Sequence, residues 1–365
     1  MTERASPHEA DATEAMPSPA ESLVAEFLRR QEEGKAPSIE SFLAGKSTEL
    51  ASEVGGRLES ILSLQGLFRE MRPAGAPATA EPPRIPGFRI ESRLGEGALG
   101  TVYLAWDIAL ERKVALKVLL RGTGAAQLES ILSEARRIAS LGDPGIVTVH
   151  SVVREAESPA IVMEFVEGFP IDRMAEGLGY RDRARLVQRV ARALATAHAK
   201  ELIHRDLKPA NILVTPRMEP KILDFGLAVQ KSNQPDTAGY FAGTPLYASP
   251  EQVAGEPLTP ASDIFSLGSI LYLLLTGRSP FDAPTTGEVL LRVAAAQPAF
   301  PRSLIADVPE ELQAISIACL ASNPADRPSA LDVVADLGRF LSGEPIRSRP
   351  RLYADRLRNR IAAHE

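Results

Sequence analysis

Residues 203–214, IHRDLKPANILV, constrain the fold of this chain more than any other stretch. His204, Arg205, Asp206, Lys208 and Asn211 fall within eight positions, between the apolar flanks Leu202-Ile203 and Ile212-Leu213-Val214. Pro209 bars a continuous helix, because proline lacks a backbone donor and clashes with the preceding turn. Both flanks read as core segments, so the polar residues form a loop anchored at each end. An ordinary surface loop would be built from Gly, Ser and Asn. A loop this charged and this stiff points to chemistry.

The chain changes character on either side of that loop. FRIESRLG (88–95), TVYLAWD (101–107), KVALKVLL (113–120), GIVTVHSVV (145–153) and AIVMEFV (160–166) are rich in β-branched and aromatic residues and separated by turn signals, which predicts strands. Residues 125–141 switch to helical spacing, with Leu128, Ile131, Leu132, Ala135 and Ile138 on one face. From Asp182 onward helical spacing dominates, as in Leu186, Val190, Leu194 and Ala197. A strand-rich half followed by a helix-rich half predicts an α+β protein of two lobes.

Ahead of the lobes, residues 1–20 are rich in Ala, Pro, Glu and Ser and are predicted to be disordered. In 21–72, Leu23, Val24, Phe27 and Leu28, then Leu50, Val54, Leu58, Ile61 and Leu62, recur at helical spacing and predict a small helical module, with Gly55-Gly56 as a break. Residues 73–87 carry proline at 73, 77, 82, 83 and 86 and read as a semi-rigid linker. The last residues, 342–365, form a basic tail with six arginines. A net charge of −6 argues against nucleic acid or an anionic membrane as the main partner. The single cysteine, Cys319, excludes an internal disulfide. No stretch reaches the ~18 apolar residues of a membrane span; IFSLGSILYLLLTG (264–277) reads instead as a buried helix. The N-terminus has neither the basic start nor the apolar stretch of a signal peptide, so a cytoplasmic protein is expected.

Three further segments accompany the loop. Gly95-x-Gly97-x-x-Gly100-x-Val102 is the first. Such glycines serve a dinucleotide only where they follow a strand and open a helix. Here Thr101-Val102-Tyr103-Leu104 continues as strand, so the glycines cap a hairpin whose amides can approach phosphate oxygens. VALK then ends on Lys117, a lysine that would snorkel to solvent unless a carboxylate and a phosphate lie nearby. Glu134 is its leading partner and Glu129 the fallback. Last, KILDFGLA (221–228) places Asp224 directly after an apolar strand, with Phe225-Gly226 behind it.

With GEGALGTV, VALK, HRDLKPAN, DFG and ASPE in this order, and SDIFSLG and ADRPSA beyond, the sequence resembles the eukaryotic-type protein kinase family, in its bacterial serine/threonine branch, over about residues 86–341. The resemblance implies a bilobal kinase domain over 88–341, with an N-lobe of 88–166 and a C-lobe of 167–341. It implies ATP with magnesium or manganese, and transfer of the γ-phosphate to Ser or Thr of protein substrates. Gly95, Gly97 and Gly100, beside Leu94, would cover the phosphates, and Lys117, paired with Glu134, would bind the α- and β-phosphates. Asp206 would orient the substrate hydroxyl and accept its proton, Lys208 would steady the γ-phosphate, and Asn211 and Asp224 would hold the metal. Adenine would lie against Val102, Ala115 and Leu213, with Met163 behind it and its edge on the backbone of Glu164 and Val166.

Residues 224–251 resemble an activation segment containing Ser232, Thr237, Tyr240 and Thr244. Thr237 is the expected autophosphorylation site, with Arg205 available to pair with its phosphate, and Thr244 is expected against Asp206 and Lys208. Structural duties are expected of Glu251 with Arg327 as a buried ion pair, of Asp263 holding the catalytic loop, of His204 as a packed residue and of His198 as a satisfied helix residue. Two departures, DPGIV (143–147) for the usual His-Pro-Asn turn and ASPE for Ala-Pro-Glu, remove no catalytic group. A pseudokinase scaffold would lack Lys117, Asp206 or Asp224, and all three are present. A small-molecule phosphotransferase would not need the platform ending in SPE. Self-association for phosphorylation between copies, and partner docking through 21–72, complete the expectations.

Overall fold

The structure, a computed structural model, describes residues 82–97, 100–120, 125–154, 159–225 and 245–348, together with scattered positions between 23 and 58. The chain divides into two compact units, Met1–Leu62 and Ser63–Glu365. In the first, helix α1 (Ile39–Leu43) starts at Ser38, whose hydroxyl accepts the amide of Ser41. Phe27 and Phe42 meet edge to face at 5.1 Å, and the Arg30 guanidinium lies over the Phe42 ring. Phe27, Val54 and Leu58 are buried. Residues 1–20 and 73–81, and much of 21–72, lie outside the described residues.

The second unit opens with strands β1 (Phe88–Gly97), β2 (Gly100–Asp107) and β3 (Arg112–Leu119). Helix α2 (Ala125–Ala139) follows, then β4 (Val149–Val153) and β5 (Ala160–Glu164). The five strands form one antiparallel sheet in the order β1-β2-β3-β5-β4. Gly97 pairs with Gly100, so the glycines cap a β-hairpin, as their sequence context predicts. A side chain at Gly100 (φ 153°) would put a Cβ 1.9 Å from the Val118 carbonyl, so packing alone demands glycine there. Among the described residues, a Cβ at Gly95 or Gly97 would meet nothing within 4 Å. Protein packing therefore does not account for those two, and the open space over them suits a ligand.

One predicted strand is shorter than its pattern. Of residues 145–153, only 149–153 join the sheet. Asp143 accepts the amide of Gly145 at 2.8 Å and turns the chain aside. Gly145 and Val147 then bond to Ile222, at 2.8 and 2.9 Å, in a parallel bridge to the other lobe. Phe165 and Val166 likewise leave the sheet after β5.

Beyond β5 come β6 (Phe169–Pro170), α3 (Ile171–Met174) and α4 (Tyr180–His198). A 3-10 turn at Pro209–Asn211 leads into β7 (Ile212–Val214) and β8 (Pro220–Ile222). Strands β6, β7 and β8 make a small antiparallel sheet. The remaining helices are α5 (Pro250–Ala254), α6 (Pro260–Thr276), α7 (Thr286–Ala295), α8 (Pro301–Leu304), α9 (Glu310–Cys319) and α10 (Ala330–Ser342). Helix α6 is buried along nearly its whole length, in keeping with its apolar sequence, and stops at Gly277 in left-handed backbone (φ 74°). One apolar cluster runs from Ala115, Ile161 and Met163 of the sheet through Leu207, Ile212 and Phe225 to helices α4, α6, α9 and α10. The two lobes thus share a core, and the loop of 203–211 emerges from it.

Candidate active site

The loop of 203–211 hangs from α6. Asp263, 1% exposed, accepts the amides of His204 at 2.8 Å and Arg205 at 3.0 Å. The same carboxylate meets His198 Nε2 at 2.8 Å, so His198 is satisfied within the fold. His204 is fully buried: its Nε2 donates to the Leu223 carbonyl at 2.8 Å, and its Nδ1 accepts the Asp206 amide at 3.2 Å. Those two bonds fix one neutral tautomer and leave no nitrogen for proton transfer. The ring also packs on Phe225, 4.8 Å between centroids. His204 therefore ties the loop to the segment that carries Asp224. A second tie runs from the Leu223 amide to the Asn211 carbonyl at 2.8 Å.

Asp206, Lys208 and Asn211 converge. Lys208 Nζ stands 2.7 Å from Asp206 Oδ2, and the Asn211 amide nitrogen donates to the Asp206 carbonyl at 2.8 Å and to Oδ2 at 3.3 Å. Because its nitrogen is spent on Asp206, the side-chain oxygen of Asn211 is turned away and available to a cation. Arg205 and Asp224 hold left-handed backbone, with φ of 69° and 52°. The Arg205 carbonyl is held by the Gln252 side chain at 2.6 Å.

Lys117 is buried in β3 and pairs with Asp224 Oδ1 at 2.8 Å. Here the geometry departs from the expected Lys117–Glu134 pair: among the described residues no ion pair joins the two. Glu134 on α2 lies instead in the field of Arg205 and Arg137. Burial outweighs those cations and lifts its carboxyl from 4.5 to about 7. The fallback partner, Glu129, is exposed and pairs with Arg154 at 3.2 Å. Lys117 takes the carboxylate at the end of β8 because that carboxylate, and not one on α2, reaches the ammonium with α2 in this position.

Val102, Ala115, Met163 and Leu213 all join the apolar cluster that spans the lobes, which gives a flat ring a greasy slot. Ala115 lies opposite Met163 across β3 and β5. The Glu164 amide already donates to the Thr148 carbonyl at 2.9 Å, so this residue has its carbonyl to offer a ligand edge. The Val166 amide has no partner among the described residues. Leu94 is exposed on β1. Thr237 and Thr244, with Ser232 and Tyr240, lie outside the described residues.

Glu251 and Arg327 form a buried bidentate pair, with Nη1–Oε1 at 2.6 Å and Nη2–Oε2 at 2.8 Å and side chains 3% and 0% exposed. Burial pushes the Glu251 carboxyl up, but its bonds to Arg327 and Ser262 outweigh that and hold it below the ordinary carboxylate range. Arg327 also donates to the carbonyls of Ala321, Ala261 and Ser322 and lies over the Phe265 ring. Two supporting contacts had no expectation attached to them. Gln252 fixes Arg205, and Lys221 on β8 pairs with Glu164 at 2.7 Å. Lys221 sits three residues before Asp224, the one cue that could have singled it out.

The fold has a β-rich lobe and a helical lobe, and the Lys117–Asp224 pair joins β3 of the first to the segment after β8 of the second. A family model for the protein kinase domain matches residues 88–337, and the chain belongs to that family. Serine/threonine-protein kinase PknB of Mycobacterium tuberculosis is 36% identical over 267 residues, covering 69% of this chain and 42% of that protein. PknA of the same organism is 36% identical over 254 residues, covering 66% and 58%. The chain thus spans about half the length of the curated relatives it matches. No helix among the described residues is long and apolar enough to cross a membrane.

Proposed function

We propose that this chain is a serine/threonine protein kinase that moves the γ-phosphoryl group of ATP to Ser or Thr hydroxyls of proteins, itself included. One observation carries the reading. Asp206, with Lys208 and Asn211 bonded to it, is strapped through His204 and Leu223 to the segment bearing Asp224, which meets Lys117. This set suits phosphoryl transfer, where positioning and electrostatics carry the rate.

In this scheme Asp206 orients the acceptor hydroxyl and takes its proton. Lys208, 2.7 Å away, balances that carboxylate and then the moving phosphoryl group. Lys117 exchanges Asp224 for the α- and β-phosphates, and Glu134 takes up Lys117 once α2 moves inward. Asn211 and Asp224 offer three side-chain oxygens from two residues, hard donors too few to enclose an ion alone, which suits magnesium held jointly with phosphates. That ion, when bound, neutralises charge on the triphosphate. Among the described residues no cluster of three or more His, Cys, Asp or Glu side chains could hold a metal unaided. Lys208, two residues after Asp206, supports Ser and Thr over Tyr as acceptors. A site that consumes ATP works where ATP is made available, so we place the domain in the cytoplasm. Thr237 is the proposed site of autophosphorylation, and 21–72 the proposed docking module.

Incubation with labelled ATP and magnesium tests the reading. Asp206→Asn should lower transfer to a generic acceptor by roughly 10²–10⁴-fold, the range for loss of a positioned base. Transfer undiminished by that change, or absent from the parent chain, would leave a scaffold.

A further inference from the structure

Beyond α10 the chain does something that phosphoryl transfer does not require. Gly343 (φ 75°) ends the helix, the chain doubles back, and Ile346 packs on the main core. Asp336, 2% exposed on α10, then receives the strap. Its Oδ1 accepts the Arg347 amide at 2.8 Å and Arg339 at 2.7 Å. Its Oδ2 accepts both the Ser348 amide at 2.7 Å and the Ser348 hydroxyl at 2.6 Å. Burial pushes the Asp336 carboxyl up, but the bonds from Ser348, Arg347 and Arg339 win and hold it below its ordinary value. It is thus a shielded carboxylate, which can only accept. Ser348 must donate to it; the Glu344 amide is held by the Arg339 carbonyl at 2.8 Å, and the polar ties of residues 347 and 348 all end on that one carboxylate. Ser348 itself is half-buried, stands between Arg347 and Arg349, and begins a run of charge with six arginines between 347 and 360.

We propose that Ser348 is a phosphoacceptor, and that its phosphorylation releases residues 347 and 348 from Asp336. A phosphoserine has lost the hydroxyl proton that the bond at 2.6 Å uses, and it sets close to two negative charges against a carboxylate. Repulsion replaces the bond. The amides of 347 and 348 share the same acceptor, so they are lost with it. The proposal rests on the kinase reading. In a second copy of the chain, the bond from the γ-phosphorus to its bridging oxygen breaks and ADP leaves. Ser348 Oγ gains the phosphoryl group, and its proton passes to Asp206 of the copy that acts.

The test uses full-length active chain with ATP and magnesium, and full-length Asp206→Asn chain as acceptor; a Lys117→Met acceptor gives a second inactive chain. Phosphate is mapped by mass spectrometry and exchange is read at the amides of 347 and 348. Phosphoserine at 348, with protection lost at both amides, is expected. Asp336→Asn in the acceptor should speed labelling of Ser348 severalfold by freeing its hydroxyl. Phosphate elsewhere on the acceptor but never at Ser348, with or without the Asp336 change, overturns the proposal. So does phosphoserine 348 with both amides still protected. A parent chain that labels neither itself nor a generic acceptor removes the kinase reading, and this proposal with it.

Discussion

Arg205 and Asp224, on either side of the chemistry, both hold left-handed backbone, which costs a non-glycine residue on the order of 1–3 kcal/mol. Each is over-determined by its surroundings: Arg205 by Asp263 and Gln252, Asp224 by Lys117. Glu134 is the residue left without such support. The folded chain holds its proton more tightly than an unfolded chain would, since its carboxyl is raised to about 7. The protonated form is therefore favoured by folding, and that contribution is complete below about pH 4.5. It is lost as pH rises toward 7. Glu134→Gln removes the loss. At pH 8 the variant should be more stable than the parent by about 2 kcal/mol, after a discount for partial exposure, and at pH 4 the two should match. Equal melting differences at both pH values would contradict this. The loop of 203–214 is legible in sequence because its chemical groups lie within eight positions. The partner of Lys117 is not: Glu134 and Glu129 are the candidates by spacing, and Asp224 lies 107 residues away with no local pattern linking the two. The choice depends on where α2 rests, which no local pattern encodes.

At the scale of elements, α5 is short and would not persist alone. It is held by the Ser249–Gln252 capping box, by Gly255 in left-handed backbone, and above all by Glu251 on Arg327. Arg327→Met strands a buried carboxylate and should cost about 3–5 kcal/mol in urea unfolding. Adding Glu251→Leu should recover a large part of it, because neither charge is then left alone. A double variant no more stable than the single one would contradict that account. Sequence pattern reveals the long elements, β1 to β3, α2, α4 and α6, whose period is unmistakable. It misses short ones such as β6, which exists only because partners meet across the fold. The diversion of 145–148 to β8 belongs to the same class, as does the strap on Asp336. There the sole sequence cue is an aspartate, two positions after the half-buried Val334 and directly before the buried Leu337.

For the whole molecule, the shared core matters more than either lobe. The apolar cluster links β3 and β5 to α4, α6, α9 and α10, so the catalytic domain is expected to unfold as one cooperative unit. Met1–Leu62 forms a compact unit of its own. A chain lacking residues 1–72 should therefore melt within a few degrees of the parent domain. A change in its transfer rate would then report regulation rather than damage. The hanging of the catalytic loop on Asp263 has a consequence for heat. In many enzymes a mobile active site fails before the body of the protein does. Here two of the loop's own amides end on Asp263 of a helix buried along nearly its whole length, so the chemistry is fastened to the core itself. Loss of transfer on warming should coincide with the main melting transition. With Asp263→Asn, inactivation should come first, several degrees below a melting point that has moved less.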